Sequence, residues 1–340
     1  MTSKQRIQAF FALGQHLKND ETALLEVISQ AKVQNPWFTA ENISSAIQSI
    51  AENLDESLLE RWLSSYSTDV NGYQNKTVGL VLAGNIPMVG FHDILCTLIT
   101  GFNVQIKLSS DDKVLIPYVL GKLQEIEPLF KKQIQLVERL SKFDIVIATG
   151  SNNTSRYFEY YFKDVPHIIR KNRNGIAILT GKENEEQLNA LGHDIFDYFG
   201  LGCRNISKIY FPKGYHYPTF FEGIESFHDI SNHFKYHNNY EYNKSIYLVN
   251  GDEHLDNGFL LLKKDERLAS PLAVVYFEEY ENIDELKPVL EEKKEEIQCI
   301  VSTLNLEKSL PVISFGASQS PKLSDYADGI DVIDFLIKQI

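Results

Sequence analysis

The spacing of apolar positions changes character along this chain. Near the start, Ile7, Phe10, Phe11, Leu13 and Leu17 recur at helical intervals, and Thr39-Ala40-Glu41-Asn42 opens a second such run that ends near Leu63. Residues 1 to about 70 therefore read as helices. Past the turn signal Asn71-Gly72 comes a short continuous run, Thr77-Val78-Gly79-Leu80-Val81-Leu82-Ala83, the pattern of a strand covered on both faces. From there helix and strand patterns alternate. A helix is expected at Met88–Thr100, a strand at Val104–Leu108, a helix from about Asp112 to Ile126, a strand at Asp144–Ala148 and a helix near Asn153–Phe162. This βαβα rhythm predicts an α/β fold with a mainly parallel sheet, which gathers ligands at the carboxyl ends of its strands.

A second unit is expected after the basic, polar stretch Arg170-Lys171-Asn172-Arg173-Asn174-Gly175. Its strands read at Ile176–Leu179, Ile206–Phe211, Leu272–Phe277 and Ile297–Val301, and its helices at Glu183–Phe199 and Ile283–Glu296. The aromatic stretch from Tyr215 to Asn250 fits no single pattern, and its Tyr215–Tyr247 part is read either as the lining of a tunnel or as core. The length of 340 residues agrees with about two domains.

Composition narrows the function classes. Apolar residues at 43% and charged residues at 23% exclude wholesale disorder, and a net charge of −13 argues against nucleic acid as a partner. Three scattered cysteines, Cys96, Cys203 and Cys299, form neither a disulfide framework nor a zinc knuckle, and the nine histidines lack metal spacing, so no metal is expected. The N-terminus reads as no signal peptide. The run Val78–Ile99 is interrupted by Asn85, Pro87, His92 and Asp93, so no membrane span is expected and the cytoplasm is the expected location.

Candidate chemistry sits at the ends of the strands. Cys203, in Phe199-Gly200-Leu201-Gly202-Cys203-Arg204-Asn205, follows glycines that permit a tight turn, and Arg204 next to it favours a thiolate that could attack a carbonyl carbon. The alternative is a small buried core residue, which is how Cys96 and Cys299 read. Asn85, in Gly84-Asn85-Ile86-Pro87, is either a donor to a developing oxyanion or an ordinary turn and cap residue. Thr149-Gly150-Ser151 opens a helix where a pyrophosphate could sit, although any strand–helix turn can look similar. Lys107, near the end of its strand, could bond a ribose or phosphate or simply face solvent.

Taken together, these segments resemble the aldehyde dehydrogenase superfamily, and more closely its acyl-CoA reductase family (LuxC-like), related to the reductase component of bacterial luminescence. The resemblance covers about residues 75–335. It rests on Val81–Pro87 with Asn85, on Val104–Asp112 with Lys107, Ser109 and Ser110, on Ala148–Ser151, and on Phe199–Arg204 with Cys203. It implies an aldehyde-dehydrogenase-like fold with a helical N-terminus and nucleotide-binding domain at 1–172. A catalytic domain at 173–318 and a C-terminal segment at 319–340 returning to the first domain complete the implied plan. It also implies Cys203 as nucleophile, Asn85 as oxyanion donor, and Lys107, Ser109, Ser110, Thr149, Gly150 and Ser151 at a nicotinamide cofactor.

Two departures shape the expected activity. Hydrolytic members carry a Glu-Leu-Gly-Gly segment whose acid activates water, whereas Ile168–Gly175 contains no acid, which favours a thiol such as coenzyme A as acyl partner. Ser110 stands three positions after Lys107, where many NAD-using members have an acid, and so favours NADPH over NADH, with Asp111 and Asp112 pulling the other way. The expected function is NAD(P)H-dependent reduction of an acyl-CoA to an aldehyde, within oxidoreductase class EC 1.2.1. The alternatives are an acyl-phosphate, semialdehyde-forming reductase and a non-catalytic scaffold of an acyl-transfer complex. Expected partners are an activated acyl substrate and either a second copy of the chain or an acyl-transfer protein, although the short chain suggests that the superfamily's oligomerisation strands are missing.

Overall fold

The computed structural model describes residues 1–19, 21–66, 75–306 and 310–339, so the Asn71-Gly72 turn lies outside the described residues. The chain divides into two compact units, Met1–Asn172 with Lys322–Ile340, and Arg173–Pro321.

The first unit begins with four helices, α1 (Ser3–Asn19), α2 (Glu21–Gln34), α3 (Ala40–Asn53) and α4 (Glu56–Leu63). Helix α1 buries Ile7, Phe10, Leu13 and Leu17 on one stripe, as its spacing predicts. The apolar run from Thr39 to Leu63 is two helices rather than one. Thr39 caps α3, and Asp55 stops the run by turning its carboxylate to the N–H groups of Ser57 and Leu58 at 3.0 and 3.2 Å, which starts α4.

A five-stranded, all-parallel sheet follows: β1 (Thr77–Val81), β2 (Asn103–Lys107), β3 (Ile134–Leu136), β4 (Ile145–Thr149) and β5 (His167–Arg170), in spatial order β3-β2-β1-β4-β5. The strands are joined by α5 (Phe91–Ile99), α6 (Leu115–Ile126) and α7 (Asn152–Phe162). The chain walks outward from β1 to β3 and then returns to lay β4 on the other side of β1. Strand order therefore reverses between β1 and β4, the position at which open α/β sheets form a ligand crevice at their carboxyl ends. Helix α5 starts three residues later than its apolar pattern predicts, because Met88 adopts a left-handed φ of 57° and delays helical geometry.

Two polar devices tie this unit together. Arg170 at the end of β5 forms a two-pronged ion pair with Asp93 in the first turn of α5, at 2.5 and 2.8 Å, with both side chains buried. The C-terminal segment is held by Tyr326, which accepts from Trp62 Nε1 at 2.9 Å, and by Asp331, which accepts from Tyr66 Oη at 2.6 Å. Its last helix, Val332–Ile337, adds Val332, Ile333 and Leu336 to the core of this unit.

The second unit contains β6 (Asn174–Ile178), α8 (Glu185–Phe196), β7 (Ile206–Pro212), α9 (Tyr217–Gly223), α10 (Phe234–Asn250), β8 (Leu255–Asp256), β9 (Leu261–Lys264), β10 (Val274–Tyr280), α11 (Ile283–Glu292), β11 (Ile297–Val301) and β12 (Val312–Ile313). Its sheet runs β12-β11-β6-β7-β10-β9-β8, parallel except for the β8–β9 pair. The aromatic stretch that fits no single pattern holds α9 and α10. Tyr236, Tyr240 and Tyr247 face inward from α10, and Tyr236 Oη donates to the Phe259 carbonyl at 3.0 Å, so these phenols bury their rings while keeping a hydrogen bond. No helix among the described residues is long and apolar enough to cross a membrane.

Removing one partner of a buried ion pair leaves the other charge uncompensated. Arg170→Met should therefore lower the unfolding free energy by about 3–5 kcal/mol in a denaturant titration, while Asp93→Leu combined with Arg170→Met should recover most of that loss. Equal losses in the single and double variants would trace the effect to packing rather than charge.

Candidate active site

In the first unit the sequence-predicted residues collect along the carboxyl edge of the sheet. Val81 at the end of β1 is flanked in register by Lys107 on β2 and Ala148 on β4, so the turns bearing Asn85, Ser109, Ser110 and Thr149-Gly150-Ser151 leave the sheet side by side. Lys107, Asn85, Ser110 and Ser151 are exposed, whereas Gly84 is buried. A side chain at Gly84 would stand 2.6 Å from Ser109 Cβ, so only glycine lets the turns after β1 and β2 close on each other. Ser151 accepts the Thr154 N–H at 3.2 Å and so caps α7 from the same position at which the resemblance places a phosphate.

Asp112 organises this edge, although nothing in its sequence context marks it as a site residue in its own right. Its buried carboxylate accepts from Met88 N at 2.9 Å and Leu115 N at 3.2 Å, bridging the turn that carries Asn85 to the start of α6. Burial pushes its pKa up, and the backbone donors oppose that rise. Because the carboxylate is turned inward, Asp112 does not present its charge beside Ser110, whereas Asp111 is exposed. The sequence signal is an aspartate at the expected start of a helix. Its reach back to Met88 is a tertiary contact that spacing does not contain.

Cys203 belongs to the second unit and precedes β7, at the amino end of its strand rather than the carboxyl end. It is exposed, while Cys96 and Cys299 are buried. Burial pushes the Cys96 thiol well above its usual range, which makes it inert. Cys203 and Arg204 form the middle of a four-residue turn closed twice: Asn205 N donates to the Gly202 carbonyl at 3.1 Å, and Gly202 N donates to Asn205 Oδ1 at 2.8 Å. Gly175 on β6 makes room for this turn, since a Cβ there would lie 2.5 Å from the Arg204 carbonyl oxygen. The Cys299 thiol lies 3.8 Å from the same oxygen.

The approach to Cys203 is strained. Helix α8 ends at Phe196 instead of running to Phe199, because Tyr198, Phe199 and Gly200 take φ values of 54°, 59° and 76°. Left-handed geometry costs a residue with a Cβ about 1–2 kcal/mol. Here it turns the chain sharply out of the helix while both aromatic rings remain buried. Asn205, also absent from the sequence-predicted set, is buried, and its Nδ2 donates to the carbonyls of Asp194, Ile195 and Asp197 at 3.1, 3.3 and 2.8 Å. Those are groups that the end of a helix leaves without partners. Behind the turn lies a cavity of about 110 Å³, lined by Phe196, Phe199, Gly202, Asn205, Tyr236 and Leu272 among others. Among the described residues, no group of three or more His, Cys, Asp or Glu side chains could hold a metal ion.

No protein-family description matches the sequence, and no curated protein does. Solved structures do match. Aldehyde dehydrogenase 21 of Physcomitrella patens, in complex with its reaction product succinate, has a TM-score of 0.72 at 12% identity, over 100% of this chain and 84% of that one. An aldehyde dehydrogenase of Mycobacterium tuberculosis complexed with NAD+ has a TM-score of 0.65 at 12% identity, over 89% and 73%. A mutant form of aldehyde dehydrogenase C of Pseudomonas syringae, complexed with NAD+ and octanal, has 0.64 at 12%, over 89% and 72%. At this identity the likeness concerns architecture. The chain has the aldehyde dehydrogenase fold.

Proposed function

We propose that this protein reduces an acyl-CoA thioester to an aldehyde with a nicotinamide cofactor, by way of an acyl-enzyme on Cys203. The observation that carries this reading is the Cys203 turn itself: an exposed thiol on a braced, strained loop, in a fold shared with aldehyde dehydrogenases, some of them solved with NAD+. The Cys203 thiolate attacks the thioester carbonyl carbon, and the carbon–sulfur bond to CoA breaks. CoA leaves as a thiolate and takes a proton from solvent. Asn85 donates its side-chain amide to the negative oxygen of each tetrahedral stage. Bound cofactor supplies the hydride that reduces the acyl carbon. Cys203 then leaves as thiolate, and the aldehyde is released.

The residues along the carboxyl edge of the first sheet suit such a cofactor. Lys107 offers a cation, Ser109, Ser110, Thr149 and Ser151 offer hydroxyls, and Gly150 keeps the turn after β4 slim. With Asp112 turned inward and a serine at 110, the loop lacks the acid that would repel a 2′-phosphate at that position, which favours NADPH; exposed Asp111 is the opposing charge. The Ile168–Gly175 segment, without an acid, gives water no base there and leaves a thiol as the acyl partner.

Three outcomes test this reading. Mixing the protein with acyl-CoA should add the acyl mass to Cys203 in an intact-mass spectrum, and Cys203→Ala should abolish both adduct and turnover while Cys96→Ala and Cys299→Ala keep them. Acylation from an acyl phosphate but not from acyl-CoA would replace the substrate class. Asn85→Ala should lower kcat by about 10²–10³-fold with the protein still folded; a change below about threefold would return Asn85 to a turn role. The ratio of kcat/KM for NADPH to that for NADH should be at least one, and should fall in Ser110→Glu. An unmoved ratio would mean that position 110 does not face the cofactor.

A further inference from the structure

We propose that Asn205 is a positioning residue for the Cys203 thiol, acting through the left-handed turn at Tyr198–Gly200. The inference rests on the reading of Cys203 as the nucleophile. The turn has two feet, the last carbonyls of α8 and the amide of Gly202, and the Asn205 side chain grips both. Its two Nδ2 hydrogens are shared among the carbonyls of Asp194, Ile195 and Asp197, and its Oδ1 holds the Gly202 N–H at 2.8 Å. One foot is itself anchored: the Asp194 carboxylate accepts from Gly316 N at 2.6 Å and Ser318 N at 2.9 Å, so α8 does not yield when the turn pulls on it.

Chemical logic singles out an amide for this task. An acceptor alone would hold Gly202 but leave three carbonyl oxygens facing one another. A donor alone would satisfy the helix end and release Gly202. Asparagine offers two donor hydrogens and an acceptor from one short planar group, and Gly175 leaves space for the backbone oxygens of Arg204 and Asn205 that carry it. Without that grip, Tyr198 and Phe199 gain by relaxing toward right-handed backbone, and Gly202 and Cys203 move with them. The inferred role is therefore to preserve the presentation of the sulfur, with no contact to substrate required of Asn205.

Asn205→Asp keeps the shape and the Gly202 acceptor but turns a carboxylate toward the three carbonyls; Asn205→Ala removes both grips. Both variants are compared with wild type well below their melting temperatures. Iodoacetamide alkylation of Cys203, followed by peptide mass over a range of pH, should slow by about tenfold or more. The kcat for acyl-CoA should fall by about 10²-fold while the KM for NADPH stays within about twofold. Alkylation and kcat near wild-type values in folded variants would overturn the proposal and leave Asn205 a structural staple. Should Asn205→Ala not fold, the isosteric aspartate decides. Alkylation does not depend on turnover, so it separates this inference from the proposed reaction: turnover surviving in Cys203→Ala sinks the reaction, whereas unchanged alkylation in Asn205→Asp sinks only the positioning role.

Discussion

A buried polar side chain that grips backbone amides is the device on which both candidate turns depend. Strands covered on both faces leave no room for chemistry along their length, so candidate residues collect in the turns at the strand ends: after β1 and β2 in the first unit, before β7 in the second. Those turns are sharp, and here sharpness is achieved with left-handed residues that are not glycine: Met88 in the first unit, Tyr198 and Phe199 in the second. Such residues hold their geometry only where surrounding bonds over-determine it. Asp112 supplies those bonds for Met88, and Asn205 supplies them around Tyr198 and Phe199.

The two solutions differ in charge, and the difference follows from what each grips. Asp112 accepts from backbone N–H groups at Met88, Leu115 and Ile116, and a side chain with two acceptor oxygens suffices. Its burial carries a desolvation cost, visible as a raised pKa that the donors only partly offset. Asn205 faces three carbonyls and one N–H, so a carboxylate there would meet like-signed oxygens. A neutral amide, half donor and half acceptor, satisfies both without burying a charge.

The α/β class and its parallel-sheet character were legible because β1 and β4 are continuous apolar runs, β2 alternates Val104 and Ile106 with polar residues, and segments of helical pattern separate them. Shorter or two-natured segments were not. β3 is three residues long, too short for any period to register, and the helix break at Asp55 sits inside an unbroken apolar rhythm that only a cap interrupts. Helix α10 was hidden because its inward positions include Tyr236, Tyr240, Asn243 and Tyr247, residues that are polar by type but buried through their rings and hydrogen bonds. Asn85, Lys107 and Cys203 stood out through local context. Asp112 and Asn205 did not, because their work is done on Met88 and on the end of α8, partners that appear only once the chain has folded.

The segment between the two sheets brings these constraints to bear on reaction class. β5 ends at Arg170 and β6 starts at Asn174, so three residues join the two sheets. Arg170 is buried and committed to Asp93, and the strand alternation that buries it also buries Ile168. An acid introduced at 168 would enter apolar core, and one at 170 would set a second carboxylate against Asp93 in place of its cation. In the segment that the resemblance sets against the base of hydrolytic members, two positions are thus occupied by residues that hold the first unit together. On the proposed reading, packing closes only these two positions to a general base; the less buried ones, Ile169 and Lys171 to Asn174, lack an acid by sequence rather than by packing, and water is left without a base there.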